Sequence, residues 1–412
     1  MKRNPSLPTY RGIANTVALF TLAQVLLLGG IVVAAVLALP LRPQELPSLQ
    51  NEPRCVTLQY DWPQAVTDGQ LTTVMLKLRP RLRHEHPKIN HVDHALRCWG
   101  APAMFDDPSC LSGADMVAIL TDQHAYEMVW DAAPLLVMGE FGPGFRTQEG
   151  AATASHVDHT LGTLAEIGMP LDYPLVMPDG TSCSIEEVLI AAMRDFRLNQ
   201  KECEWTTVAA ASYATGPTAW ISQDGERVSF DLLAHRLMRQ DWVEGVCYGN
   251  HRLYSLAMLL QFDEQVGLFQ HPETRSEVMQ HLTTATARLV KSQAESGYWD
   301  ENWEDASRPA QEAEIGGPQS RRILATGHTL EWWAIAPAEV LPPREVIVRA
   351  AQWLVTQVEQ MEPKTVTENY TFLSHVGRAL CMWRGKFPHE ICQSIQTNTA
   401  PVSAGDSENS DS

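Results

Sequence analysis

Five copies of a small residue followed by histidine are the feature of this sequence best equipped for chemistry. They are Asn90-His91, Ser155-His156, Asn250-His251, Gly327-His328 and Ser374-His375. Four and five positions after each histidine comes a small-then-leucine pair: Ala95-Leu96, Thr160-Leu161, Ser255-Leu256 and Ala379-Leu380. Trp332-Trp333 is the bulky variant in the fourth copy. Imidazole is the common proton-transfer group and metal ligand at neutral pH. A histidine repeated in one register presents rings at equivalent heights if each copy opens an equivalent helix.

The fourth copy departs from the others. His328 and Glu331 are i,i+3 on a predicted helix, so a carboxylate can meet the ring and raise its proton affinity. Trp332 lies four positions after His328, and aromatic faces beside an acid/base pair suit the apolar face of a sugar. The expected catalytic set is therefore His328, Glu331, His251, His156 and His375. The expected binding set is Trp332, Trp333, Arg252, Tyr248, Trp205 and Asp158. Arg252 is placed there because it can clamp a carboxylate or phosphate. Its structural alternative is an inter-helix ion pair. For each histidine the alternative is a packed core ring, and for Trp332 and Trp333 it is core filling. His91/His94 and His156/His159 are i,i+3 pairs in identical His-Val-Asp-His runs, which puts both rings of a helical run on one face. Their aspartates lie off that face and no His-Glu-x-x-His motif occurs, so neither a metal nor a cofactor is assigned.

The elements that must position these residues are helices. Apolar periodicity near 3.6 appears at 69–82, 91–99, 113–130, 149–167, 184–196, 203–215, 228–241, 248–262, 274–293, 322–335, 344–361 and 367–384. Leu135–Met138 is the best candidate strand, and it is short. The helices alternate between two kinds. Segments such as 184–196 and 344–354 have a charged face and show one side to water. Segments such as 251–260 are apolar nearly all round and belong inside. The inner set begins near residues 91, 156, 205, 251, 328 and 375, with Trp205 where the third copy lacks its histidine. This alternation predicts an all-α fold, an (α/α)6 barrel or six-hairpin toroid, over 67–396. A polar insertion near 296–320 contains Gly297-Tyr298-Trp299. Arg146, Gln148 and Glu149 precede the second inner helix, and His235 and His281 are expected on the outer surface.

The termini differ from this body. Residues 1–11 carry Lys2, Arg3 and Arg11 with no acid, and 12–41 is almost wholly apolar. That length exceeds the ~20 residues a spanning helix needs and the ~7–15 of a cleaved signal's apolar region. The expectation is a transmembrane signal anchor, the barrel's membrane partner, with the N-terminus cytoplasmic and the domain extracytoplasmic. A Pro-rich linker over 42–66 and a disordered acidic tail over 397–412 complete the organisation. The chain's net charge is −18, and beyond residue 42 there are 27 basic against 49 acidic residues. So acidic a body excludes non-specific nucleic-acid binding. Eight cysteines without a CxxC leave two alternatives, disulfides such as Cys98–Cys110, Cys183–Cys203 and Cys381–Cys392, or buried thiols.

Two motifs resemble known families. Gly327-His328-Thr-Leu-Glu331-Trp332 resembles the Gly-His-x-x-Glu-Trp segment of N-acylglucosamine 2-epimerases and related sugar isomerases. The resemblance implies an (α/α)6 barrel in which this histidine is an acid/base that the glutamate orients. Asn250-His251-Arg-Leu-Tyr-Ser-Leu is similar to the helix supplying that family's second catalytic histidine, without its Met. Gly297-Tyr298-Trp299 is similar to helix ends in terpenoid-cyclase and prenyltransferase toroids, but the cyclases' Asp-x-Asp-Asp signature is absent. Three readings follow. They are a carbohydrate-active isomerase, epimerase or glycan-processing enzyme acting on a glycan or small molecule, a non-catalytic binding or scaffolding barrel, and a metal-dependent toroid.

Overall fold

A computed structural model describes residues 10–38, 47–84, 86–147, 153, 156–200, 202–307 and 319–391. Lys2, Arg3, Gln148, Glu149, Ser155, Cys392, part of the 296–320 insertion and the acidic tail lie outside the described residues. The chain divides into two units, Met1–Glu45 and Leu46–Ser412. The first holds one helix, α1 (Tyr10–Ala38). Its described side chains, 17–31, are all exposed. Among the described residues no helix is long and apolar enough to cross a membrane.

The second unit is mostly helical. Its helices are α2 (Asp68–Lys77), α3 (Ile89–Trp99), α4 (Gly113–Thr121), α5 (Gln123–Glu127), α6 (His159–Glu166), α7 (Ile185–Asp195), α8 (Glu204–Tyr213) and α9 (Phe230–Arg239). There follow α10 (Asn250–Val266), α11 (Pro272–Ser292), α12 (Gln319–Trp333), α13 (Arg344–Gln360), α14 (Pro363–Glu368) and α15 (Tyr370–Met382). Local sequence starts many of them. Thr67 with Gln70, Ser112 with Asp115 and Ser184 with Glu187 form capping boxes, which satisfy otherwise orphaned backbone donors. Pro272 opens α11 and Pro363 opens α14, where a missing N–H costs nothing.

Six helices close a ring. α3 packs on α6, α6 on α8, α8 on α10, α10 on α12, α12 on α15, and α15 returns to α3. Outside it, α4 covers α3, α7 covers α8, α9 and α11 cover α10, α13 covers α12, and α2 covers α15. The small residue before His328 has a packing reason. A Cβ on Gly327 would lie 3.1 Å from Val376, so this glycine lets α12 approach α15.

Three expectations need correction. The segment 113–130 is split at Asp122, whose extended backbone ends α4 and whose side chain caps α5. Among the described residues of 149–167 the helix begins at His159, after Asp158 turns left-handed at φ 56°. Residues 47–66 are not a free linker. Gln50 and Arg54 donate backbone hydrogen bonds to Tyr213 and Ser212, and Trp62 to Trp383. Thr57 bonds Gln261, and the Tyr60 hydroxyl donates to Ala336 at 2.7 Å. This segment thus crosses the C-terminal ends of α8, α10, α12 and α15, which all lie at one end of the ring.

Strand content exceeds the single expected candidate. β1 (Leu136–Met138) pairs with β2 (Pro143–Phe145), β3 (Pro174–Val176) with β4 (Ser182–Ser184), and β5 (Ala219–Ile221) with β6 (Arg227–Ser229), all antiparallel. The last two hairpins turn through Asp179-Gly180 and Asp224-Gly225, a dipeptide that signals hairpins. Both end in a serine that caps the following outer helix. The seven described cysteines are free thiols, five of them buried, with Cys55 exposed and Cys247 partly so.

Candidate functional site

The end of the ring away from residues 47–66 carries a tier of aromatic nitrogen rings. Each inner helix contributes one ring, from its first turn in α6, α8 and α10 and from farther along the helix in α3, α12 and α15. His94 comes from α3, His159 from α6, Trp205 from α8, His251 from α10, His328 from α12 and His375 from α15, with His156 from the turn before α6. Ring centroids are 4.3 Å apart for His94–His159, 5.3 Å for His94–His375 and 3.7 Å for His328–His375. They are 4.8 Å apart for His251–His328, 5.0 Å for His156–His251, 4.4 Å for His159–Trp205 and 5.1 Å for Trp205–His251.

One turn deeper lies a charged tier, reached by i,i+3 steps from the first. His94 leads to Arg97, His251 to Tyr254, His328 to Glu331 and His375 to Arg378. Glu331 accepts from Arg97 at 2.7 Å and from Arg378 at 2.5 Å. Glu166 accepts from Arg97 at 2.6 Å, from Arg378 at 2.9 Å and from the Tyr254 hydroxyl. Arg97 also stacks over Trp205 and Tyr254, each 4.9 Å from the ring centre. All are buried. Such a network holds only because each charge is paired.

The charged residues orient the imidazoles. Glu331 accepts from His375 Nδ1 at 2.9 Å and lies 3.4 Å from His328 Nδ1. Asp93 accepts from His159 Nδ1 at 2.9 Å and from the Thr160 hydroxyl at 2.7 Å. His94 Nδ1 meets the Asn90 carbonyl at 2.8 Å, and His156 Nδ1 lies 3.3 Å from Glu202. Among the described residues, one nitrogen on each of four rings has no partner. Nε2 of His159, His251, His328 and His375 is buried and unbonded, as is Trp205 Nε1. An unmet buried polar atom costs about 1–3 kcal/mol, so several in one place mark a site awaiting a partner.

Titration behaviour follows burial. Desolvation holds His94, His251 and His375 well below the ordinary imidazole range. It also lowers His328 against the pull of Glu331, and His159 against that of Asp93. Burial alone would raise Glu331, but the Arg97 guanidinium and then His375 hold it well below the carboxylate range. Burial likewise opposes ionisation of Asp93 and Glu202, and His159 and the His156 hydrogen bond respectively outweigh it. Neutral rings held by carboxylates through Nδ1, with Nε2 free, are the arrangement found in histidine metal ligands. Two groups suit that role. Ligand atoms of His251, His328 and His375 lie within 4.8 Å of one another, and so do those of His156, Cys247 and His251.

Of the predicted catalytic residues, His156, His251, His328 and His375 meet in the tier, with Glu331 beneath. Of the predicted binding residues, only Trp205 joins them. Arg252 donates to the carbonyls of Leu237, Asp241, Trp242 and Glu244, and so clamps the end of α9 and the loop after it. Trp333 donates to Thr286 on an outer helix, and Trp332 packs beside it at 5.4 Å in the core. Asp158 accepts from Thr206. Tyr248 accepts from Trp303 Nε1 through its carbonyl. His91 lies beside Tyr370, outside the tier. His235 is partly exposed on Glu277, whereas His281 is half-buried and stacked on Trp242. The sequence reading missed Cys247, His94, His159, Arg97, Glu166, Tyr254 and Arg378 as site residues. The i,i+3 step from each inner histidine was the signal for three of them.

Comparison with known protein families, curated proteins and solved structures returns no match.

Proposed function

We propose that this chain is a metal-dependent enzyme on an (α/α)6 barrel, with a divalent ion of the zinc class held by His251, His328 and His375. The observation that carries this reading is the set of unpartnered, buried Nε2 atoms of His251, His328 and His375, with Glu331 facing the Nδ1 atoms of the last two rings. Zinc takes imidazole nitrogen at about 2.0–2.1 Å, and three protein ligands leave a fourth position for water or substrate. Ligand atoms within 4.8 Å of one another need the rings to draw in by about an ångström on loading. Two guanidiniums, Arg97 and Arg378, stand against four carboxylates, Asp93, Glu166, Glu202 and Glu331. That excess of negative charge suits a divalent cation.

The chemistry supplied by such an ion is a water made acidic enough to ionise near neutral pH, or a polarised carbonyl. His94, His156 and His159 stand beside it to move protons. The substrate class is a small polar molecule, a sugar among them, bounded by the face of Trp205. The metal-free expectation is replaced here because Asp93, judged from sequence to lie off the ligand face, orients His159 of a neighbouring helix instead. Membrane attachment through 12–41, with an extracytoplasmic body, rests on the basic flank and apolar run of the sequence.

A second reading keeps the sugar-isomerase resemblance. There His328 acts as acid/base without a metal, and the 3.4 Å approach of Glu331 favours it. A purely scaffolding barrel is disfavoured, because packing alone gives no return for the unbonded nitrogens.

The test strips the full-length protein with chelator in detergent and titrates it with Zn²⁺ or Co²⁺. Wild type takes up metal stoichiometrically. His375→Ala loses affinity on the order of a hundredfold, and Glu331→Gln about 10–100-fold, with helicity retained by circular dichroism. Absence of binding, or variants that bind as wild type, sinks the metal reading. Sugar isomerisation that resists chelator but disappears in His328→Ala selects the second reading.

A further inference from the structure

Cys247 is the least expected neighbour of the tier. It is partly exposed, and its thiol sulfur lies with a nitrogen of His156 and one of His251 in a group spanning no more than 4.8 Å. His251 belongs to this group and to the one with His328 and His375.

Its placement is not a by-product of regular structure. Cys247 and Tyr248 both sit in the left-handed region, at φ 55°, and Gly249 follows at φ 73°. Two consecutive non-glycine residues in that region are strained, and such strain persists only where the surroundings over-determine it. Here they do. Trp303 Nε1 donates to the Tyr248 carbonyl at 2.9 Å, and Asn250 Nδ2 to the Cys247 carbonyl at 3.0 Å. A Cβ on Gly249 would fall 1.9 Å from the Trp242 carbonyl, so only glycine completes the turn. The turn ends where α10 begins, which brings Cys247 beside His251 one turn on. From the other side, Glu202 fixes His156 through Nδ1 at 3.3 Å. A lone thiol would carry no argument, but the buried Nε2 of His251 has no protein partner.

We infer that His156, Cys247 and His251 form a second, softer cation seat adjoining the first, so that the loaded centre holds two ions bridged by His251 as an imidazolate, one ring nitrogen to each and its ring proton released to solvent. This rests on the metal reading above. Thiolate and imidazole together select zinc-class ions over magnesium or calcium, and a coordinating thiol gives up its proton to solvent on binding.

The experiment titrates chelator-stripped, thiol-reduced full-length protein with Co²⁺, reading stoichiometry and the near-ultraviolet thiolate-to-cobalt charge-transfer band. Wild type should take two equivalents and develop the band with one of them. Cys247→Ser should lose the band and weaken one equivalent on the order of a hundredfold, keeping the other. His156→Ala should weaken the same equivalent, and His375→Ala should spare the band. One equivalent without a thiolate band in wild type overturns the second seat while leaving the first intact. No uptake at all overturns both. A band that survives Cys247→Ser removes Cys247 from the centre. The wild-type spectrum decides the matter even where a variant fails to fold.

Discussion

The tetrapeptide His-Val-Asp-His occurs twice, at 91–94 and 156–159, and the two copies do different things. In the first, all four residues lie within α3. An i,i+3 step there raises one ring about a turn above the other. His94 enters the tier, and His91 is left outside it beside Tyr370. His91 is pushed down to about 4 by burial and by neighbouring Lys88 and His84. In the second copy the left-handed turn at Asp158 replaces the helix, and both His156 and His159 reach the tier. The aspartates diverge as well. Asp93 reaches across to His159 and Thr160 of the other copy, while Asp158 takes one hydrogen bond from Thr206. One sequence therefore supplies one site ring or two, according to whether the backbone around it is helical.

The largest break in this comparison should come from Asp93→Ala. It strands His159 Nδ1 and the Thr160 hydroxyl in a region with no solvent exposure, where Asp93 and His159 are each 0% exposed. Breaking such a pair costs about 3–5 kcal/mol, read as a shift in urea midpoint at constant slope. A loss under about 1 kcal/mol would show that Asp93 does not hold the ring.

Asparagine at the same positions sharpens the contrast. Asp93→Asn should cost about 2 kcal/mol at pH 7, because a bond to a charged acceptor is lost. Asp158→Asn should be neutral or slightly stabilising, since asparagine accepts from Thr206 equally well and tolerates φ 56°. Equal effects would erase the distinction between the copies.

Their pH dependence should differ in sign. Burial works against the Asp93 charge, but His159 and the hydrogen bonds leave its carboxyl below the ordinary 3.8. The unfolded chain then binds the proton more readily, so Asp93 stabilises above that value and this contribution fades as pH falls. Asp158 is raised, chiefly by burial. It holds its proton more tightly when folded, so its charge opposes folding at neutral pH and the opposition fades on acidification. The stability gap between Asp93→Asn and wild type should close only as pH falls below about 3.8, whereas any gain in Asp158→Asn should vanish earlier, as pH falls toward about 3.8. A gap that stays constant with pH contradicts both assignments.

The smallest effect should be His91→Ala on metal uptake. Co²⁺ stoichiometry and affinity should match wild type, whereas loss of either rings of the second copy or His375 perturbs the centre. A weakened His91→Ala titration would return this histidine to the site.

The helical body was legible from residue types alone, because 3.6-residue periodicity, serine and threonine caps and initiating prolines act over a few residues. The fourfold convergence of His156, His251, His328 and His375 was legible for the same reason, as a register repeated along the chain. The hairpins escaped despite Asp179-Gly180 and Asp224-Gly225, because three-residue strands give too short an alternation to outweigh the flanking helices. Trp332, Trp333 and Arg252 looked functional by type, and packing sent the tryptophans into the core and the arginine onto backbone carbonyls. Nothing local separates those outcomes, since each depends on which neighbour arrives across a helix seam.

Sequence by itself determined the helices and their alternation, since these follow from short-range periodicity. Only the tertiary structure decided which rings face one another and which carboxylate serves which ring. It paired Asp93 of one inner helix with His159 of the next, put Glu331 under two rings at once, and set Cys247 beside His156 and His251. Those pairings span tens to hundreds of residues, and side-chain direction between packed helices is fixed by contact, not by spacing along the chain.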